Sequence, residues 1–189
     1  MGSDAVRRPA LTAAVAAVLL AGCGSAAQTA NNPETATPTP TPTRVQQVKV
    51  GQTVTLTGAD DSGGADRLRL AVRVKQVVAT TTGHGAFQQP RKGERFAAVR
   101  FVLKNVGDTA YDDSPTYGAK IVDAAGQTYD PTVASVTAGP GFPKVVRLRQ
   151  GQAKSGVIVF AVPKKAKVVG VTYALNAGFA TDRAEWRVT

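Results

Sequence analysis

The sequence predicts an all-β protein, an immunoglobulin-like antiparallel β-sandwich of about eight or nine strands, on three observations. From residue 45 onward, apolar and β-branched residues alternate with polar ones at period two. Gly, Pro, Asp and Asn interrupt these runs about every 8–12 residues, the spacing of sandwich turns. After the N-terminal segment no helix-period pattern persists beyond two turns. A small closed barrel is the alternative. The 145 or so residues from 45 to 189 suffice for one core, since a chain of that size buries about 68–70% of its unfolded surface.

The first element is an address. Arg7 and Arg8 precede an apolar stretch at 10–21 broken only by Thr12, which reads as a signal peptide over residues 1–22. Such a stretch is too short to span a bilayer, where a helix needs roughly 20 residues. It ends in Leu20-Ala21-Gly22-Cys23, a large apolar residue and two small ones before the chain's single cysteine. This motif resembles the lipobox of bacterial lipoproteins. The resemblance implies cleavage before Cys23 and lipid on its thiol, and hence a protein held at the extracytoplasmic face of the cell membrane. Two or more acyl chains anchor stably where one does not.

Residues 23–44 form the second element, a lipid-anchored linker whose middle is Thr37-Pro38-Thr39-Pro40-Thr41-Pro42-Thr43. Alternating proline removes amide donors and fixes φ, so the stretch is expected to be extended at about 3.1 Å per residue, giving a reach on the order of 60 Å. An unmodified spacer and an O-glycosylated stalk both fit this composition.

The strands of the third element, residues 45–189, follow in order. Val54 and Leu56 alternate with threonines over 53–57, and Leu68, Leu70, Val72 and Val74 alternate with Arg69, Arg73 and Lys75. Ala97, Val99, Phe101 and Leu103 share one face. Runs at 117–122, 127–129, 145–148, 157–162, 168–175 and 184–188 complete the count. Three stretches carry a second resemblance: residues 96–108 with the turn Asn105-Val106-Gly107-Asp108, the Asp123-Ala124-Ala125-Gly126 turn through Tyr129, and 148–163 with Gln150-Gly151. Together they are similar to an immunoglobulin-like domain-of-unknown-function family, common in Gram-positive surface lipoproteins and sometimes labelled after a telomeric-repeat-binding factor. The resemblance implies an exported sandwich and brings no agreed activity. The telomeric label does not suit an exported chain, which meets no chromosomal DNA.

Little in the sequence points to catalysis or metal. His84, the one histidine, lies in the turn Thr82-Gly83-His84-Gly85, with no Gly-x-Ser-x-Gly elbow anywhere to serve it. Gly83-x-Gly85 lacks the third glycine of a dinucleotide loop, because residue 88 is Gln. Copper or zinc would lack ligands, so no cofactor or metal is expected. Asp60, Asp61 and Asp66, and Asp108, Asp112 and Asp113, lack EF-hand spacing and read as turn acids.

The positive signal is charge. The chain has 23 Lys+Arg against 13 Asp+Glu, a formal +10. Removing the signal peptide leaves 21 against 12, so the excess belongs to the exported part. Arg147 and Arg149 are two apart and share a strand face, flanked by Lys144 and Lys154. Lys164, Lys165 and Lys167 form a second group, and Arg91, Lys92 and Arg95 a third. Aromatics at 6% do not interleave with them, which fits nucleic-acid stacking poorly.

The expected function is therefore a membrane-anchored surface lipoprotein with a non-enzymatic recognition domain. It would bind anionic envelope polymer or another exported protein, with Arg147, Arg149, Lys164, Lys165 and Lys167 as contacts. Two alternatives stand: a cell-envelope enzyme using carboxylates, against which adjacent Asp112 and Asp113 would point to opposite strand faces, and an accessory or inhibitor module for an exported enzyme. The loop at 138–143 sets Phe142 between Pro140 and Pro143, where it either caps the open end of the core or anchors a partner.

Overall fold

Alternation of buried and exposed residues along the chain folds it into two facing sheets. The computed structural model describes residues 44–59 and 67–188; Cys23, the Thr/Pro stretch and Asp60, Asp61 and Asp66 lie outside them. The strands are β1 (Arg44–Lys49), β2 (Thr53–Gly58), β3 (Leu68–Thr81), β4 (Glu94–Asn105), β5 (Tyr111–Asp113), β6 (Ala119–Asp123), β7 (Thr128–Tyr129), β8 (Pro131–Thr132), β9 (Val146–Leu148), β10 (Ala153–Pro163), β11 (Val168–Ala174) and β12 (Asp182–Arg187). One sheet has the order β1-β12-β11-β6-β7 and the other β2-β3-β4-β10-β8, with β5 and β9 as a separate ribbon. The β-sandwich read from the sequence is the fold.

Two details differ from the sequence reading. Among the described residues there are twelve strands, because β1, β5 and β8 add to the nine runs seen in the sequence. The run at 117–122 also begins later, since Pro115 at the first helical position starts a four-residue turn, α1 (Pro115–Gly118), and the strand opens at Ala119.

The core lies between the sheets. Phe101 on β4 packs 5.4 Å from the Tyr173 ring on β11 and edge-on, 6.5 Å away, to Trp186 on β12. The indole N–H of Trp186 donates to Gln52 O at 2.9 Å, so the ring is buried without an orphan donor. The outer face of β4 and β10 is covered too. Phe96, Ala98, Val157 and Val159 form a second apolar cluster with Val136, which belongs to the segment crossing from β8 to β9. Phe142 of the same segment packs against the main core, over Gly156, where any Cβ would lie 2.6 Å from the ring. The residue is a cap of the core at its side.

The motifs that carry the family resemblance turn out to fix turns. Asn105 donates to Thr109 O and Leu148 O and accepts from Gly107 N–H, all at 2.8–2.9 Å, while fully buried. Asp123 accepts from the Ala125 and Gln127 amides at 2.9 Å and from the Tyr129 hydroxyl at 2.8 Å. The Tyr129 hydrogen bond, followed by the two amides, holds its carboxyl below the usual carboxylate range.

Candidate cation-lined binding end

β10 separates the two groups of predicted contacts. Its register on β4 sets Ala153 opposite Lys104 and Pro163 opposite Glu94. Eleven residues at about 3.3–3.4 Å each place Arg147 and Arg149 at one end of the sandwich and Lys164, Lys165 and Lys167 at the other, about 35 Å apart. The five residues therefore do not form one surface.

Their surroundings differ as well. Arg147 lies on β9 opposite Asp112 on β5, and its Nε sits 2.6 Å from the Asp112 carboxylate. Arg149 is exposed just after β9, in a turn whose backbone is bonded to Gln152. Lys144 lines a side groove instead, and Lys154 is exposed at the start of β10.

At the opposite end two basic turns meet. In the first, Glu94 N–H bonds Arg91 O at 3.0 Å and Gly93 takes φ +91°, a backbone shape that suits glycine. The second is the turn that carries the chain from β10 across to β11 in the facing sheet, closed by Ala166 N–H to Pro163 O at 3.0 Å. Lys164 N–H donates to Gly93 O at 2.9 Å and joins the two. Arg95 braces them, its guanidinium donating to Ala79 O at the end of β3 and, at 2.7 Å, to Ala166 O. Arg91, Lys92, Lys164, Lys165 and Lys167 are left exposed around this brace. Among the described residues, none of the five is in an ion pair. The third basic group in the sequence thus joins the second, a meeting that only the antiparallel register of β4 and β10 creates.

On the outer face at the end of β3 lies a depression of about 350 Å³ lined by Val78, Thr80, Thr81, Thr82, Thr137 and Ala138. The Thr137 hydroxyl is 3.1 Å from those of Thr81 and Thr82. A larger groove of about 620 Å³ runs along the side of the sandwich between Tyr117, Asp130, Val133, Phe142 and Lys144. Tyr117 and Val133 are exposed there, and Asp130 is paired with Lys120. The depression had no signal in the sequence, whereas the groove takes in Phe142 and Lys144, both singled out there.

The residues weighed for chemistry are placed apart. Asp112 pairs with Arg147, while Asp113 turns the other way and accepts from the Ser114 amide at 2.7 Å and the Ala177 amide at 3.2 Å. Asp108 accepts from Gln150 at 2.8 Å. His84 is exposed in its loop, its amide bonded to Ser135 O at 2.8 Å. Burial holds the phenols of Tyr111 and Tyr173 above their ordinary value, so both stay protonated. Among the described residues no three of His, Cys, Asp and Glu come together as a metal-holding group, and no helix is long and apolar enough to cross a membrane.

Two sheets packed face to face, with exposed cations on turns at one end, define a β-sandwich domain. Residues 65–184 match the family described as Domain of unknown function (DUF4352), and the chain belongs to it. No curated protein matches the sequence. Among solved structures, the chain resembles the secreted protein MPT63 of Mycobacterium tuberculosis, with a TM-score of 0.56, 18% identity, and 79% of this chain and 100% of that one covered. The yjhA protein of Bacillus subtilis is similar at a TM-score of 0.45 and 16% identity, over 67% of this chain and 79% of that one. A β-sandwich protein from Clostridium difficile 630 is similar at 0.43 and 8%, over 81% and 100%. At these identities the likeness to MPT63 is one of fold.

Proposed function

We propose that this chain is a lipid-anchored surface protein, held at the extracytoplasmic face of the membrane through Cys23, whose sandwich is a non-enzymatic recognition body for anionic cell-envelope material. The observation that carries the reading is the junction of the Arg91–Lys92 turn and the Lys164–Lys167 inter-sheet turn, with five exposed cations and no carboxylate paired to any of them among the described residues. Cations concentrated on rigid turns raise the local potential and draw in a polyanion. Near an anionic surface each contributes about 1 kcal/mol within a Debye length. Arg147 is a weaker contact in this reading, since Asp112 already holds it.

The test is retention of the mature protein on purified anionic envelope polymer across a salt series. Binding at low salt that fades as salt rises, and that is lost in Lys164→Glu/Lys165→Glu, supports the reading. Retention that is equal at low and high salt, or absent at both, removes it. Intact-mass analysis of the mature N-terminus checks the lipid on Cys23 separately.

A second reading, docking onto another exported protein, is favoured by the side groove with exposed Tyr117 and Val133. Aromatic anchors at the mouth of a groove suit a protein partner better than a polyanion.

A further inference from the structure

The cationic end does not stop at its two turns. The turn after β10 delivers Lys167 to the start of β11, where Val169 O accepts from Val188 N–H at 2.9 Å and so lies beside the end of β12. Arg187, the last residue of β12, is opposite Lys49, the last residue of β1, and Val50 N–H closes that corner by donating to Arg187 O at 3.3 Å. Lys49 and Arg187 therefore lie at the same end of the sandwich as Lys164, Lys165 and Lys167.

Alternation along the strands fixes where these two side chains go. Trp186 is fully buried and Val48 packs on the core, so Lys49 and Arg187, one residue further on, leave the sheet by its outer face, and both are exposed. Paired strands are about 4.8 Å apart, which sets two like charges side by side. Such pairs repel, and an anion lying across both offsets the repulsion. Among the described residues neither is in an ion pair. The Arg187 guanidinium donates to Gln47 Oε1, and Glu185, one row along the same face, accepts from Gln47 at 3.3 Å. On β11 the residue beside Arg187 is Gly170, which raises no side chain over the face.

We infer that the polyanion site is a track that starts on the Arg91–Lys92 and Lys164–Lys165 turns, passes Lys167 and bends over the edge of the sandwich onto Lys49 and Arg187, and that its ligand is a linear phosphate polymer, not a bilayer surface. The inference rests on the proposed anionic-envelope reading and names its ligand. The path from Lys164 to Lys49 covers roughly 20 Å, three residues of chain and two strand spacings. Its two parts face different ways, since the turns project off the end whereas side chains on a sheet stand roughly perpendicular to it. A flexible polymer can bend across that edge and meet both parts at once. A flat bilayer laid on the turns meets Lys49 and Arg187 only edge-on.

The experiment uses the mature lipidated protein in neutral phosphatidylcholine vesicles. Three probes are compared at low salt: tripolyphosphate, long-chain polyphosphate, and separate vesicles containing phosphatidylglycerol. Lys49→Gln/Arg187→Gln is set against Arg44→Gln/Arg183→Gln, which removes the same charge from exposed positions at the other end of the same two strands. The first variant should capture long-chain polyphosphate about fivefold less tightly, with tripolyphosphate capture and any bridging to the anionic vesicles changed less than about twofold. The second should change long-chain capture less than about twofold. A long-chain loss that is absent, or that is matched by the second variant, by tripolyphosphate or by the anionic vesicles, overturns this inference while leaving the anionic-envelope reading in place; so does capture of the vesicles without capture of the polymer. Failure to bind any of the three probes overturns both.

Discussion

Arg147 and Lys164 sit at opposite ends of one strand system and show how neighbouring structure decides what a basic residue is free to do. Arg147 is on a strand whose partner presents Asp112 directly across, so its charge is met within the sheet. Lys164 is on a turn that crosses between the sheets and is bonded to another basic turn, so charge accumulates there. Cross-strand pairing places side chains about 4.5–5.5 Å apart and rewards opposite charges. Turns that touch through backbone hydrogen bonds impose no such matching.

This contrast can be broken at several points. The largest effect is expected from Lys164→Glu/Lys165→Glu/Lys167→Glu, which should reduce polyanion binding at least about tenfold in a sedimentation assay, since each cation near an anionic surface is worth about 1 kcal/mol. Arg147→Glu/Arg149→Glu in the same assay should change it less than about twofold; equal losses from the two variants would abolish the distinction between the ends. Next comes Arg95→Ala. Two carbonyls lose their donor and the turns lose their brace, so stability should fall by about 1–2 kcal/mol in a urea titration, with polyanion binding weakened about threefold.

Asp123 sharpens the comparison through pH. Its turn joins the cationic end, where Ala124 N–H bonds Lys167 O at 2.9 Å. Hydrogen bonding holds the folded-state carboxyl below its ordinary 3.8, so the stabilisation is present above that value and is lost as pH falls through the lower folded-state value. Asp123→Asn should lower Tm at pH 7 and flatten the decline in Tm between pH 5 and pH 2. An unchanged acid limb would mean that this turn does not carry the acid sensitivity. The smallest effect belongs to Asp112→Asn, which frees Arg147 and should raise polyanion binding at that end by no more than about twofold.

Much of the sandwich was legible because a sheet with one face on the core writes its burial into alternate residues. The Leu68 to Val74 series, with Arg69 and Arg73 outward, is buried and exposed in that alternation. β4 departs from it. Phe96, Ala97, Ala98 and Val99 are all buried, since the segment carrying Val136 covers the outer face, and a run buried on both sides loses its period. β1 was missed for a different reason: its polar pattern is weak, and its partner β12 lies more than 130 residues away and runs parallel, which no local turn signals. The site divides likewise. The lysines were visible as a charge run, but their meeting with Arg91 and Lys92 comes from the β4–β10 register, and the Thr82–Thr137 contact from a crossing segment. Tertiary placement of this kind leaves no periodic trace in sequence.

The parallel seating of β1 beside β12 has a mechanical consequence. When a pull is applied at Arg44 and at the Lys164–Lys167 turn, tension runs along the strand axis. It loads the six-residue β1–β12 ladder in shear, so its hydrogen bonds resist together instead of peeling one at a time. The sandwich is thereby suited to bear a pull applied at Arg44 without opening at its first strand.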